Sequence, residues 1–166
     1  MRLEVLCGPF ACGKSTYAVH RAKQGAFIIN DDSIVNAVHG GINTLYEEEL
    51  KSVYKGLEHH IFESAVSMGR DIVIDRPNVE QSTRERWIRL ADAFEVDERV
   101  LVIFKWDGQE EHVARRMKDS RGYTADHWRM AYQRMNKSLN GGSLSSISDG
   151  FTSVRLFDNG ELVEVK

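Results

Sequence analysis

Hydrophobic residues fall along this chain in short unbroken runs, separated by longer stretches in which they recur every three or four positions. Leu3-Glu4-Val5-Leu6-Cys7, Ala26-Phe27-Ile28-Ile29, Ile72-Val73-Ile74-Asp75 and Val100-Leu101-Val102-Ile103-Phe104 (within 99–106) are of strand length. Such nearly continuous apolar runs suit parallel strands buried on both faces. Between them, 14–23, 46–68, 80–94, 109–118 and a segment beginning near Asp126 read as helices. Gly25 sits where a left-handed residue would end the first of these. The longest, 46–68, carries a 3.6-residue stripe of Tyr46, Leu50, Val53, Tyr54, Leu57, Ile61, Ala65 and Met68. Its aromatic residues are therefore expected in the core. Gly40-Gly41 breaks a short helical piece before it. Residues 140–150 read as a flexible loop rich in Gly and Ser. Residues 151–157 and 162–165, split by Asp158-Asn159-Gly160, predict a closing strand and a short hairpin partner. Strands alternating with helices predict a doubly wound, three-layer α/β fold with a mainly parallel sheet, built as a single domain over 1–166.

Composition narrows the setting. No apolar stretch reaches membrane length, and the chain runs directly into a strand with no signal-peptide pattern. Cys7 and Cys12 are the two cysteines. A cross-link between them would distort the turn that joins them, so they read as free thiols in a reducing, cytoplasmic setting. The formal net charge is −3. A domain that held long duplex by neutralising phosphates should be basic, so any nucleic-acid contact is expected to be local: a chain end or one extruded nucleotide. His59 and His60 are adjacent and so point to different helix faces, which makes them no ligand pair.

The chemistry begins at Gly8-Pro9-Phe10-Ala11-Cys12-Gly13-Lys14-Ser15, which reads G-x-x-x-x-G-K-S between the first strand and the first helix. Gly8 and Gly13 let the backbone curl so that successive N–H groups point inward at phosphate oxygens, and the nucleotide-binding residues are expected to be Gly8, Pro9, Ala11, Cys12, Gly13, Lys14, Ser15 and Thr16. Lys14 can reach the β- and γ-phosphates, the Ser15 hydroxyl can bind Mg²⁺, and the helix aims its positive end at the same anion.

Three further groups suit phosphoryl transfer, which needs a cradle, a metal, a group to orient the attacking oxygen and cations for the developing charge. Asp31 and Asp32 follow the second strand, at the end that faces the ligand crevice in such sheets. Either could accept a proton from a substrate hydroxyl, and either could instead cap the next helix. Asp75 ends the third strand, where an acid can organise Mg²⁺ or, alternatively, bond the Pro77-Asn78 turn. Arg115, Arg116, Lys118 and Arg121 lie on and just after a helix, before Gly122, and read as a cation-bearing lid over about 115–125 or as a solvated face.

Taken together, Gly8 to Thr16, the Asp31-Asp32 pair, Asp75-x-x-Asn78 and the arginine segment ending Arg121-Gly122 resemble the phage-type polynucleotide 5′-kinase domain and its relatives, in order and spacing, from Met1 to about Met135. The resemblance implies a P-loop kinase fold with an arginine-bearing lid, ATP and Mg²⁺ as cofactors, Lys14 and Ser15 on ATP and Mg²⁺, Asp31 as the general base, and Arg121 as the lid arginine on the γ-phosphate. That family commonly carries an arginine before the Asp pair and another two residues after it. Here those places hold Asn30 and Ile34. The second arginine helps to hold a phosphate of the polynucleotide.

The leading expectation is an ATP-dependent kinase acting on a hydroxyl of a polynucleotide, either a 5′ end or a hydroxymethylated base of DNA. A second keeps the chemistry and changes the acceptor to a nucleoside, sugar or other metabolite, as Ile34 and the acidic net charge favour. Nucleotide-sugar kinases of the toxin type are a further variant whose substrate motifs are not evident. A third is a nucleotide-dependent switch, which keeps Lys14 and Ser15 but needs no carboxylate at Asp31.

Overall fold

The structure, a computed structural model, describes residues 1–140, 150–158 and 161–165. The interior of the loop expected over 140–150 and the Asn159-Gly160 turn lie outside them. The described residues form one sheet of six strands: β1 (Arg2–Cys7), β2 (Phe27–Ile29), β3 (Ile72–Ile74), β4 (Glu98–Phe104), β5 (Ser153–Asp158) and β6 (Glu161–Glu164). Their order is β2-β3-β1-β4-β5-β6. All neighbours are parallel except β5 and β6, which pair antiparallel as a hairpin. Six α-helices connect them: α1 (Lys14–Lys23), α2 (Asp31–Val38), α3 (Lys51–Ser67), α4 (Gln81–Ala93), α5 (Gln109–Met117) and α6 (Ala125–Asn140). The α/β class and the mainly parallel sheet are as the hydrophobic pattern predicts.

Alternation along β1 divides the core. Leu3, Val5 and Cys7 face the larger cluster, with Phe62 and Ala65 of α3, Trp87 and Ala91 of α4, and Leu101 of β4. Leu6 faces the other side, with Tyr17 and Ala18 of α1 and Val102 and Phe104 of β4. Glu4 shares that second face and is buried, but its carboxylate accepts hydrogen bonds from Tyr17 Oη (2.9 Å) and Arg21 Nε (3.0 Å). A buried carboxylate is tolerable only with such partners. A third cluster joins Phe10 of the loop after β1 to Val113 of α5 and Trp128, Ala131 and Tyr132 of α6. That cluster fixes the α5–α6 pair against the end of β1.

The long helix differs from the sequence pattern. Residues 43–50 form two short 3₁₀ turns, and α3 begins only at Lys51. Tyr46, Val53, Leu57 and Met68 of the expected stripe are exposed, and the buried positions on α3 are Tyr54, Glu58, Phe62 and Ala65. Tyr54 anchors the preceding turn through side-chain bonds: its hydroxyl meets His39 Nε2 at 2.8 Å and accepts from Glu47 N at 3.2 Å. Satisfying that hydroxyl and burying a carboxylate at Glu58 rotate the helix away from the face its apolar residues suggest.

Candidate functional site

The loop between β1 and α1 is held from outside by its neighbours and from within by Lys14. Gly8 N donates to Pro77 O at 3.0 Å, His112 Nδ1 lies 2.9 Å from Phe10 O, and Arg115 Nη1 donates to Ala11 O at 3.1 Å. A Cβ on Gly8 would stand 3.0 Å from both Cys12 Sγ and Phe104 Cβ, so a side chain there has no room. Gly13 has φ 100° and Ala11 φ 52°, the left-handed backbone by which a loop turns its N–H groups inward. Lys14 is buried, and its Nζ donates to Gly8 O (3.1 Å) and Pro9 O and lies 3.4 Å from Cys12 Sγ. No side chain caps the N-terminus of α1, which leaves the N–H groups at Lys14, Ser15 and Thr16 directed at the loop's concavity. Cys7 and Cys12 are both free thiols, and burial pushes the Cys7 thiol up to about 11.

Asp75 lies one residue past β3, directly opposite. Its carboxylate is buried and accepts from Asn30 Nδ2 at 3.0 Å, with the Ser15 hydroxyl close enough to favour its charged form. Burial raises the Asp75 pKa, and the contacts with Ser15, Lys14 and Asn30 oppose the rise. Asn30 also donates to the Asp75 carbonyl at 3.0 Å and caps α2, its Oδ1 accepting from Ser33 N at 3.0 Å. The capping role that was the alternative for Asp31 or Asp32 is thus filled by Asn30, and both acids occupy the first helical turn, where the helix dipole favours them. The Ser15 hydroxyl and Asp75 carboxylate are hard oxygen donors of the kind Mg²⁺ takes beside phosphate oxygens. Among the described residues there is no cluster of three or more His, Cys, Asp or Glu that could cage a metal by itself.

Asp31 is more than half exposed, and its Oδ1 forms an ion pair with Arg76 Nη2, which leaves Oδ2 outside the pair. Arg76 is buried, and the same nitrogen also meets Glu58, itself 1% exposed. Glu58 further binds Arg86 and, at 3.0 Å, Lys55. Burial and the neighbouring Arg86 bring the Arg76 guanidinium down to about 10, so it stays charged at neutral pH. Next to it, Asn78 has φ 44° and is buried, donating to Leu6 O (2.7 Å) and Arg76 O (3.1 Å) and accepting from Trp87 Nε1 (3.2 Å). The Asp75-to-Asn78 turn thereby sews the ends of β1 and β3 to α4.

From the opposite wall come the arginines. Arg121 has φ 53° in the link between α5 and α6, and its Nη2 pairs with Asp32 Oδ2 at 2.6 Å. Arg116 lies 4.5 Å over the Trp128 ring. Both arginines also stand at ion-pair distance from the exposed Asp119, at 3.8 and 3.9 Å, but Arg116 Nε and Arg121 Nε are buried without a hydrogen-bond partner, which leaves each a donor for an anion. Arg115 departs from the lid reading: it points behind the loop, to Ala11 O and Asp107, and does not line the cleft. Lys118 is exposed and likewise outside it.

These walls enclose a cleft of about 290 Å³ bordered by Lys14, Ser15, Asp31, Asp75, Arg116 and Arg121. Two further cavities meet it at Asp31. One, of about 400 Å³, lies between the start of α4 and α6; the other, of about 330 Å³, lies between α2 and α3. Sequence reasoning missed Asn30, Glu58, Arg76 and Arg134, since nothing in their local pattern pairs a residue of α3 with a turn after β3. Arg76 alone carried a hint, as a cation inside the Asp75-to-Asn78 motif.

A parallel sheet with a glycine-rich loop from β1 to α1, an acid after β3 and arginines on a covering helical link define a P-loop NTPase of kinase-like fold. The AAA_33 family model, described as AAA domain, matches residues 3–139, and the chain belongs to that family. Similar solved structures include Chaetomium thermophilum Kti12 in complex with ADP-AlF3, with TM-score 0.60 and 17% identity, covering 95% of this chain and 89% of that one. The putative kinase of Chloroflexus aurantiacus aligns with TM-score 0.56 and 13% identity over 85% of this chain and 76% of that one. A chain of the PezAT toxin–antitoxin system of Streptococcus pneumoniae aligns with TM-score 0.55 and 15% identity over 99% and 71%. At these identities the likeness is one of fold. No curated protein sequence matches the chain. Among the described residues no helix is long and apolar enough to cross a membrane.

Proposed function

We propose that the chain is an ATP-dependent phosphotransferase that moves the γ-phosphate of ATP to a hydroxyl, with Asp31 as general base. One observation carries this reading: a single cleft brings Lys14 and Ser15 together with the Asp31 carboxylate and two arginines that have unpartnered N–H groups. In this reading Lys14 leaves the carbonyls of Gly8 and Pro9 for the β- and γ-phosphates. Ser15 and Asp75 are the residues that would hold Mg²⁺, which when bound would offset the charge of the phosphate oxygens. Asp31, anchored through Oδ1 by Arg76, takes the acceptor's proton on Oδ2 as the acceptor oxygen bonds to the γ-phosphorus. The bond from that phosphorus to the β-phosphate oxygen breaks, and ADP leaves. Arg121 exchanges Asp32 for the γ-phosphate, and Arg116 shares the charge that develops there.

The acceptor we put first is a polynucleotide, at a 5′-hydroxyl end or a hydroxymethylated base, on the resemblance to polynucleotide 5′-kinases. Ile34, where those kinases carry an arginine, and the net charge of −3 favour a small hydroxyl-bearing metabolite as the second reading. A nucleotide-dependent switch without transfer is compatible with a fold shared with Kti12, but it gives the Asp31–Arg76 pair no task. The test is transfer of label from γ-labelled ATP with Mg²⁺ to parallel acceptors: 5′-hydroxyl oligonucleotide, hydroxymethyl-base DNA and a panel of nucleosides and sugars. Label on DNA supports the first reading, label only on a small molecule the second, and ATP bound without any transfer the switch.

A further inference from the structure

The two cavities that meet the phosphate cleft at Asp31 differ in charge chemistry, and the difference says which one receives the acceptor. Between α2 and α3 the cations are Lys51 and Lys55, and both already have carboxylate partners, Glu48 at 2.6 Å and Glu58 at 3.0 Å. The same cavity adds the carboxylates of Asp31, Asp32 and Glu58. It is a poor place for an anion.

The cavity between α4 and α6 is less acidic: its carboxylates are Asp31 and Glu80, and although Arg76 is paired through Nη2 with Asp31 and Glu58, Arg134 has no such partner among the described residues. Arg76 borders it, and the Arg76 side chain is 7% exposed with its Nε buried and unpartnered. Arg134 of α6 stands at the same cavity, exposed and without a hydrogen bond or ion pair among the described residues. The N-terminus of the 13-residue helix α4 opens there too: Glu80 and Thr83 line the cavity, and no side chain caps the helix. Its first N–H groups are therefore free to meet an anion. Hydroxyls of Thr83 and Ser138 complete a donor-rich wall.

Resting on the kinase reading above, we infer that this α4–α6 cavity is the acceptor subsite, and that the acceptor carries a phosphate near the hydroxyl to be modified. The phosphate meets Arg76, Arg134 and the α4 N-terminus, and the hydroxyl reaches Asp31, which borders both this cavity and the phosphate cleft. Arg76 is thereby assigned two contacts, the base on one side and the acceptor anion on the other.

The test is calorimetric titration of protein loaded with Mg²⁺ and a non-hydrolysable ATP analogue. The probes are a 5′-hydroxyl oligonucleotide, a nucleoside 3′-monophosphate and a sugar phosphate, the last two beside their phosphate-free counterparts. At least one phosphate-bearing probe should bind, about tenfold or more tightly than its counterpart, and which one binds identifies the source of the phosphate. Arg134→Ala, a change on an exposed helix position that spares the core, should weaken that probe about tenfold and leave the phosphate-free compound unaffected. Lys51→Ala, in the other cavity, should change neither. The inference is overturned if phosphate confers no preference, if the preference survives Arg134→Ala, or if Lys51→Ala abolishes it. Because binding is read without turnover, selective binding with no transfer from ATP would count against the kinase reading and leave the subsite standing.

Discussion

Glu58 is the buried carboxylate on which the wall behind Asp31 depends. It is 1% exposed and joined to Arg76, Arg86 and Lys55, while Arg76 and Arg86 also lie 5.3 and 4.5 Å from the centre of the Trp87 ring. Glu58→Gln keeps the shape and removes the charge, leaving Arg76 buried with only the exposed Asp31 as its counter-ion. Breaking a buried pair from one side costs about 3–5 kcal/mol, because the remaining charge stays out of water uncompensated. For a chain of this size that corresponds to a fall in Tm of roughly 10 °C and a large share of a typical stability of about 5–15 kcal/mol. Urea and thermal unfolding followed by circular dichroism measure it. In a double-mutant cycle Arg76→Met should recover part of the loss, with a coupling of more than about 1 kcal/mol. A Glu58→Gln loss below about 1 kcal/mol, the scale of an exposed ion pair such as Lys51–Glu48, would refute the claim that this cluster is a buried hub.

Three shorter expectations follow from the same geometry. His112 is fully buried between Phe10 O and Asp107 N, which calls for one protonated and one free ring nitrogen, and burial holds its pKa below the usual 6.5. The folded state therefore binds this proton less readily than the unfolded chain, so stability should be complete above pH 6.5 and fall as pH drops below it. Urea unfolding at a series of pH values should show that slope, and His112→Asn should flatten it; an unchanged slope in the variant would reject the assignment. Arg121→Ala should lower kcat about 10- to 100-fold with little change in ATP affinity, since its charge acts on the transferring phosphate; loss of affinity without loss of kcat would place it in ground-state binding instead. Alkylation of Cys12, whose Sγ lies 3.4 Å from Lys14 Nζ, should block ATP binding measured by fluorescence or calorimetry. Retained binding in the modified protein would show that the loop accommodates the adduct.

Strands β2, β3 and β4 and most of β1 were readable because they are nearly continuous apolar runs whose burial needs no knowledge of partners, and the phosphate loop because its glycines and lysine fall within eight residues. Helix α3 departs from the expected stripe for a physical reason: Val53 and Leu57 are exposed, while a carboxylate at Glu58 is inside beside Tyr54, Phe62 and Ala65. Hydrophobic periodicity has no means of seeing a charge that is buried because Arg76 and Arg86 reach it from elsewhere in the chain. The Asp31-Asp32 pair could be placed at the cleft from the end of β2, but their different partners, Arg76 for one and Arg121 for the other, arise only when α2 meets the turn after β3 and the α5–α6 link. Arg115 shows the converse. It shares a helix with Arg116 yet serves the back of the phosphate loop, because neighbouring positions on a helix point in different directions.

The central claim is that Asp31 takes a proton from an acceptor held beside ATP, and one comparison tests it most directly. Wild-type and Asp31→Asn proteins are assayed for γ-phosphate transfer from Mg²⁺-ATP to the best acceptor of the panel, with ATP affinity measured on the same preparations. The account predicts unchanged ATP affinity and a loss of transfer of about 10²-fold or more, the usual contribution of a positioned general base. Transfer at the wild-type rate by Asp31→Asn, or a wild-type protein that binds ATP and phosphorylates nothing in the panel, would contradict it.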